Sequence, residues 1–397
     1  LAWTTRQSPE PDVTFASDND VMLQALKIAR HGFGKVEPNP QVGAVIVSPD
    51  REWIAEGFHQ EFGGPHAEIH AIRNAAGRTQ GADLFVTLEP CSHFGKTPPC
   101  ADAVIEAGFR RVVVGCQDPA PHVAGRGLQK LRDAGLEVLT GICEDEARSL
   151  IAPFKKQILQ HRPWVHAKWA MTLDGRIAAS TGHSQWISCE QSREVVHQLR
   201  GRVEAIITGA GTLRRDNPRL TARPLGPRKA LRVLIDSSGT TLTQDSAIIQ
   251  TLSEAPVLVC VSQRCSQQQQ TRLESLGVEV LRTVDADQTD VDQTDVEQVL
   301  RELGRRRMTH ILLECGPRLM GTFFDQGLVD EVHVFVAPKI VGGAAAVAPI
   351  GGEGQPEIPQ FPSISGLNRS FCGTDVLIEG HVTNRVPAAR KLSDETR

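Results

Sequence analysis

Asp83-Leu84-Phe85-Val86-Thr87-Leu88-Glu89-Pro90-Cys91 is an apolar, β-branched run that ends abruptly in a proline and a thiol. Such a run bounded by a turn signal reads as a buried strand, and its carboxyl end is where layered α/β sheets hold their ligands. Upstream, His66-Ala67-Glu68 opens a stretch that reads as a helix to Ala76. Downstream, Pro98-Pro99-Cys100 opens another that runs to Ala107 and stops at Gly108. Cys100 therefore stands at a helix start, where unpaired amides and the helix dipole favour a thiolate. One imidazole, two thiols and a carboxylate recur in an order that suits a catalytic zinc centre. His66, Cys91 and Cys100 would ligate one zinc ion and leave a fourth position for water. Glu68 would carry protons.

That arrangement fits hydrolytic removal of an amine from a nucleobase-like ring. The usual signature separates its two cysteines by two residues; here eight intervene, Ser92 to Pro99. The insertion reads either as a substrate loop, with His93 and Lys96 facing an anionic ligand, or as a solvated loop with incidental charge. His70 shares a helix face with His66 and is a rival ligand. The metalloprotease order His-Glu-x-x-His is absent, however, so second-rank support or packing is the expected role.

Working outward, 397 residues exceed one typical domain. Hydrophobic content of 40% and charge of 23% describe an ordinary globular chain. A net charge of −4 gives no basic footprint, so no nucleic-acid partner is expected. No apolar run approaches the roughly 20 residues of a membrane span. Leu1 to Asp20 lacks the basic-then-apolar order of a secretory leader. Nine scattered cysteines argue for a reducing compartment, and a cytoplasmic location is expected. Tyrosine is absent, so no tyrosine acid or base is available.

Residues 1–17 read as a loose arm, 18–142 as a zinc-dependent domain and 143–163 as a helical connector. Residues 164–385 read as a second α/β domain, and 386–397 as a tail. In the first domain a helix is expected from about Asn19 to His31. Strands are expected at Val42–Val47, Asp83–Leu88 and Arg111–Gly115, and a last helix and strand end near Thr140. Their alternation implies largely parallel pairing. In the second, strands are expected at Val165–Met171, Glu204–Thr208, Arg232–Asp236, Val257–Val261, Val278–Arg282, His310–Glu314 and Glu331–Val336. The tandem repeat at Asp287 to Val296 is expected to be a solvated loop or helix lead-in. Glycines follow strands at Gly209-Ala210-Gly211-Thr212 and Gly316 to Gly321, the usual phosphate cradle. The dinucleotide fingerprint is incomplete because its third glycine is missing, so ordinary turns remain the rival reading.

Taken together, His66-Ala-Glu-Ile-His-Ala, Val86-Thr-Leu-Glu-Pro-Cys-Ser-His, Lys96-Thr-Pro-Pro-Cys and Val123-Ala-Gly-Arg-Gly resemble the deaminase half of the bifunctional riboflavin-biosynthesis deaminase–reductases. The wider relatives are cytidine deaminase-like zinc enzymes. The second half, with Lys168 to Arg176, Ser184 to Ser188, Asp216-Asn-Pro and Glu314 to Gly321, resembles their reductase half. The resemblance covers about residues 20 to 382. It implies an α/β chain with a three-layer cytidine deaminase-like domain followed by a dihydrofolate reductase-like domain that uses NADPH.

It further implies that zinc-hydroxide attack, with Glu68 as proton shuttle, deaminates 2,5-diamino-6-(5-phosphoribosylamino)pyrimidin-4-one. Hydride transfer then opens the ribose to a ribityl chain. Asn39, His59, His93, Lys96 and Asp118 would surround the deaminase substrate. Ala170, Trp186, Thr212, Asp216, Ser237, Gly316, Pro317, Arg318, Leu319, Met320, Gly321 and Thr322 would line the cofactor. Lys168, Ser184, Arg200, Leu220, Arg223 and Glu314 would line the reductase substrate, with Arg200 and Arg223 as phosphate clamps and Lys168 or Asp174 as candidate acid. Without the resemblance the two arginines read as plain surface residues, and Asp174 as a turn brace. Relatives carry Asp-Pro-Asn-Pro where this chain has Asp118-Pro119-Ala120-Pro121, so an amide is missing at Ala120. A homo-oligomer is expected. The rivals are a deaminase with an inactive C-terminal half, a nucleic-acid base deaminase and a non-catalytic zinc protein.

Overall fold

The computed structural model describes residues 13–94, 98–121, 123–284, 294–357 and 362–383. Lys96, most of the tandem repeat, the first twelve residues and the tail lie outside them. Two compact units divide the chain, Leu1–His161 and Arg162–Arg397.

In the first unit, Ser17 caps α1 (Asp18–Ala29) by accepting the Asp20 amide, as its small hydroxyl side chain allows. A short 3-10 turn, Arg30–Gly32, follows. Next come β1 (Gly43–Val47), β2 (Trp53–Phe58), α2 (Ala67–Ala75), β3 (Asp83–Leu88), α3 (Cys100–Glu106), β4 (Arg111–Cys116), α4 (Arg126–Asp133), β5 (Glu137–Thr140), α5 (Glu144–Leu150) and α6 (Ala152–Gln160). The segment expected as a helical connector, 143–163, carries two helices, and up to His161 it falls in the first unit.

The sheet order is β2-β1-β3-β4-β5. The expectation of largely parallel pairing is corrected here. β1 runs antiparallel to both β2 and β3, and only β3–β4 and β4–β5 are parallel. The short link between Val47 and Trp53 permits only a hairpin. Every residue of β1 is nonetheless buried, because helices cover both faces. A Cβ on Gly43 would strike the Ala25 carbonyl of α1, and one on Gly57, which pairs with Ala44, would strike α2 at Ala67 and Ala71. Adjacent strand residues point to opposite faces, so α1 and α2 flank the sheet. At the amino ends of β3 and β4, the fully buried Asp83 carboxylate accepts from Arg110 and Arg111, and Arg111 also reaches Asp18.

The second unit contains β6 (Trp164–Thr172), α7 (Glu190–Arg200), β7 (Ala205–Gly209), α8 (Ala210–Asp216), β8 (Leu231–Ile235), α9 (Ala247–Gln250), β9 (Val257–Val261), α10 (Gln267–Ser275), β10 (Glu279–Arg282), α11 (Val296–Arg305), β11 (His310–Leu313), α12 (Pro317–Asp325), β12 (Glu331–Ala337), β13 (Ser363–Cys372) and β14 (Asp375–Thr383). Nine strands form one sheet in the order β10-β9-β8-β7-β11-β6-β12-β14-β13. Pairing is parallel from β10 to β12, and β14 and β13 close the edge antiparallel. Odd residues of β6, Val165 and Ala167, join the core with Val299 and Leu303 of α11 and Met320 and Phe323 of α12. A fully buried Phe323 contributes about 1.5–3 kcal/mol by removal from water. The opposite face holds Phe335 and Leu377 against Val196 of α7.

Candidate functional site

Three elements deliver the expected zinc donors to one point. His66 caps α2, Cys91 follows β3, and Cys100 begins α3. His66 Nδ1 lies 3.2 Å from Cys100 Sγ and 3.6 Å from Cys91 Sγ, and all three donor atoms fall within 4.8 Å of one another. Zn–N and Zn–S bonds of usual length on a tetrahedron place nitrogen and sulfur about 3.6 Å apart, so the donors fit that ion. The Cys100 amide donates to Cys91 Sγ at 3.3 Å, as the start of a helix allows. His70 does not join this donor set; its Cβ packs against Gly57 of β2.

The electrostatics point the same way. A hydrogen bond from Cys100, helped by His66, draws the Cys91 thiol down to about 4. The same bond, with burial, pushes Cys100 well above the ordinary thiol range. Two neighbouring sulfurs cannot both ionise unless a cation lies between them, and a divalent metal is such a cation. Glu68, in the first turn of α2, is 3% exposed, and burial pushes its carboxyl up to about 7. It stands where it can interact with both His66 and Cys100.

Around this centre, buried His59 packs edge-on against His66 with ring centroids 5.2 Å apart. Burial, with His66 nearby, lowers His59 to about 4, so its ring is neutral. Its Nδ1 donates to the Pro65 carbonyl at 3.0 Å, which leaves Nε2 to accept from Asn39 Nδ2 at 3.2 Å. His93 is exposed, and Lys96 lies outside the described residues. Asp118 Oδ1 accepts the Ala120 amide at 2.8 Å. The turn is therefore intact at the departure from the family pattern, with the Ala120 methyl buried.

Sequence reasoning noticed Glu89 only as a neighbour of Cys91. Its buried carboxylate accepts four main-chain amides: Gly127 (2.8 Å) and Leu128 (3.3 Å) on Oε1, Gly125 (2.9 Å) and Asp118 (3.2 Å) on Oε2. It thereby ties the Asp118 loop and the start of α4 to the end of β3. Gly127 is needed here because a Cβ would lie 2.0 Å from the Pro90 carbonyl.

In the second unit several of the expected residues lie on the parallel strands or on the segments that follow them. Lys168 and Ala170 lie on β6, Thr212 and Asp216 on α8, Ser237 just beyond β8, Glu314 just beyond β11, and Gly316 to Thr322 at the start of α12. Neither Gly209 nor Gly316 supplies a side-chain cap, so the first amides of α8, and those of Arg318 and Leu319 behind Pro317 in α12, are left uncapped by these residues at neighbouring strand ends. A Cβ on Gly316 would lie 3.7 Å from Thr212 Oγ1, which shows the two helix starts adjoin. Such a pair of starts suits the phosphates of a dinucleotide.

The arginines differ. Arg200 binds Glu314 through two bonds, Nε at 2.6 Å and Nη2 at 2.9 Å, and Lys168 Nζ approaches the same carboxylate at 3.9 Å. Burial lowers the Lys168 ammonium. Arg223 instead approaches Thr221 Oγ1 at 3.3 Å and His197 at 3.4 Å. Asp174 is a brace: it accepts from Thr172 Oγ1 at 2.6 Å and from the Gly342 amide at 2.8 Å, which holds it at about 2. Trp186 is 64% exposed beneath the Arg193 guanidinium. Ser184 lies in the segment before α7, and Leu220 is buried.

Comparisons with known proteins agree with this geometry. Residues 16–116 match the cytidine and deoxycytidylate deaminase zinc-binding region, and residues 163–376 match the RibD C-terminal domain. The chain is 40% identical to riboflavin biosynthesis protein RibD of Synechocystis sp. over 92% of this chain and 96% of that one. It is 39% identical to the Escherichia coli protein of the same name, covering 83% and 89%. Among solved structures, a diaminohydroxyphosphoribosylaminopyrimidine deaminase/5-amino-6-(5-phosphoribosylamino)uracil reductase from Thermotoga maritima is 36% identical. That likeness covers 92% of this chain and 98% of that one, with a TM-score of 0.75.

Proposed function

This chain belongs to the RibD family of bifunctional riboflavin-biosynthesis deaminase–reductases, and from that premise we propose which of its residues carry each step. It is a zinc-dependent pyrimidine deaminase and an NADPH-dependent reductase, acting on a small phosphoribosyl pyrimidine. We take residues 18–142 as the deaminase domain and 164–385 as the reductase domain.

The observation that carries the deaminase reading is the convergence of His66, Cys91 and Cys100 beside a buried Glu68. When bound by those three side chains, zinc supplies the Lewis acidity that makes water nucleophilic near neutral pH. Glu68 accepts the proton of the attacking water and returns it to the departing amine nitrogen. Neutral His59 and Asn39 orient the pyrimidine, and Asp118, on the loop held by Glu89, closes over it. His93 and Lys96 are assigned to the phosphoribosyl group.

In the second unit NADPH supplies the hydride when bound. Ala170, Trp186, Thr212, Asp216, Ser237 and Gly316 to Thr322 hold it. Lys168, Ser184, Leu220 and Glu314 surround the ribosyl group. Arg200 is committed to Glu314 and positions that carboxylate, which leaves Arg223 as the phosphate clamp.

A cytoplasmic location is supported by nine cysteines that are all free thiols. No helix among the described residues is long and apolar enough to cross a membrane. A homo-oligomer is supported by the outer strand β13, where Leu367 and Phe371 are 60% and 85% exposed.

The test supplies the phosphoribosyl diaminopyrimidine with NADPH and follows ammonia release and NADPH absorbance together. Glu68→Gln should keep zinc and lose ammonia release by several orders of magnitude. Survival of that release would remove Glu68 from the reaction.

A further inference from the structure

A second cluster of donors lies inside the reductase unit, independent of the deaminase reading. Register brings it together. His166 on β6 pairs with Glu331 on β12, and His333, two residues further along β12, pairs with Glu379 on β14. Residues two apart on a strand share a face, so one sheet face carries all four side chains. His166 Nδ1 lies 3.1 Å from His333 Nε2 and 3.2 Å from Glu331 Oε2, and His333 Nε2 lies 3.6 Å from Glu331 Oε1. Nitrogen and oxygen ligands of zinc on a tetrahedron stand about 3.3–3.6 Å apart.

Each of these three side chains also has an outer partner. His333 Nδ1 donates to Glu379 Oε1 at 2.8 Å. That places the hydrogen of a neutral ring on Nδ1 and turns the Nε2 lone pair inward. His166 Nε2 meets His310 Nδ1 at 3.0 Å, and Trp164 Nε1 donates to Glu331 Oε2 at 3.1 Å. A histidine backed by a carboxylate is the usual support of a metal-bound imidazole. At 3.1–3.6 Å two imidazole nitrogens and a carboxylate oxygen must share either a ring proton or a cation, and a divalent cation at their centre satisfies all three donors at once.

We propose that His166, Glu331 and His333 form a second metal site, which takes a divalent transition cation of the zinc class and is supported by Glu379. The mixed nitrogen and oxygen donors disfavour magnesium and calcium, which prefer oxygen alone. Glu331, 21% exposed against 6% and 4% for the histidines, forms the rim through which an ion enters. The site sits toward the amino-terminal ends of the parallel strands, whereas Glu314 follows the carboxyl end of β11. Its role is to clamp β6 to β12, beside the Lys168 that pairs with His333.

The experiment loads the full chain with zinc, removes loosely held ion and measures metal by mass spectrometry. Two equivalents are expected for the unaltered protein and one for Glu331→Gln, a substitution of the same shape. Glu379→Gln should weaken the second equivalent by about 10–100-fold. In Cys91→Ser/Cys100→Ser protein, cobalt should show visible bands of nitrogen and oxygen ligation without thiolate charge transfer. One equivalent in both the unaltered and the Glu331→Gln proteins, with native circular dichroism, overturns the site and leaves a proton-held network. Two equivalents retained in Glu331→Gln would overturn it equally.

Discussion

Replacing Glu89 by glutamine changes one atom of a side chain that holds four main-chain amides. Each carboxylate oxygen accepts two: Gly127 and Leu128 on one side, Asp118 and Gly125 on the other. Glutamine offers a single acceptor oxygen. If that oxygen stays on the buried pair, the new NH2 group faces the Asp118 and Gly125 amides, donor against donor. Two bonds to a charged acceptor are lost, each contributing about 1.5–3 kcal/mol, while water at the half-buried side recovers part. The net cost is about 2–4 kcal/mol. For a unit of this size that corresponds to roughly 5–15 °C in its unfolding midpoint. The assay heats the full chain and follows the inactivation midpoint of ammonia release, with NADPH oxidation on separately supplied deaminated substrate as the internal control. The deamination midpoint should fall alone, and the residual activity should show a raised KM because Asp118 is no longer held. A midpoint within about 1 °C of the unaltered protein would refute the reasoning.

Three further outcomes concern the two reactions. Glu68 must be ionised to accept a proton, and burial sets its pKa at about 7 in the metal-free site. Deamination should therefore fall as pH drops through the titration of this carboxyl; a rate that rises as pH falls through 7 would contradict this. Arg223→Ala should raise the reductase KM by about 10–100-fold with little change in kcat, the effect of losing a charge-assisted bond to phosphate. An unchanged KM would remove Arg223 from the phosphate site. Arg200→Ala should instead lower kcat, because it frees Glu314 from its two-bond partner; equal effects in the two variants would erase the distinction between them.

The zinc donors were readable before any fold because metal ligation admits few residue types, and a strand end and two helix starts flank them. Glu89 was less readable because its partners are main-chain amides, which any sequence supplies. The buried run of β1 was visible, yet burial on both faces looks the same whether neighbours run parallel or antiparallel. β13 was not visible at all: it is mostly exposed, broken at Gly366 and without alternation. Nor was the His166–Glu331–His333 group, since register alone unites residues some 165 positions apart. The split between Arg200 and Arg223 likewise needed Glu314 in place.

The closeness of Cys91 and Cys100 has a cost once the cage is emptied. A Cys91 thiol drawn below the ordinary thiol range beside a second sulfur is poised for oxidation to a disulfide. Chelation in air should therefore silence ammonia release while NADPH oxidation on supplied deaminated substrate continues, and a reductant followed by zinc should restore it. The occupied cage is thus also the protein's antioxidant guard, and its loss would leave a chain that performs only the later half of its chemistry.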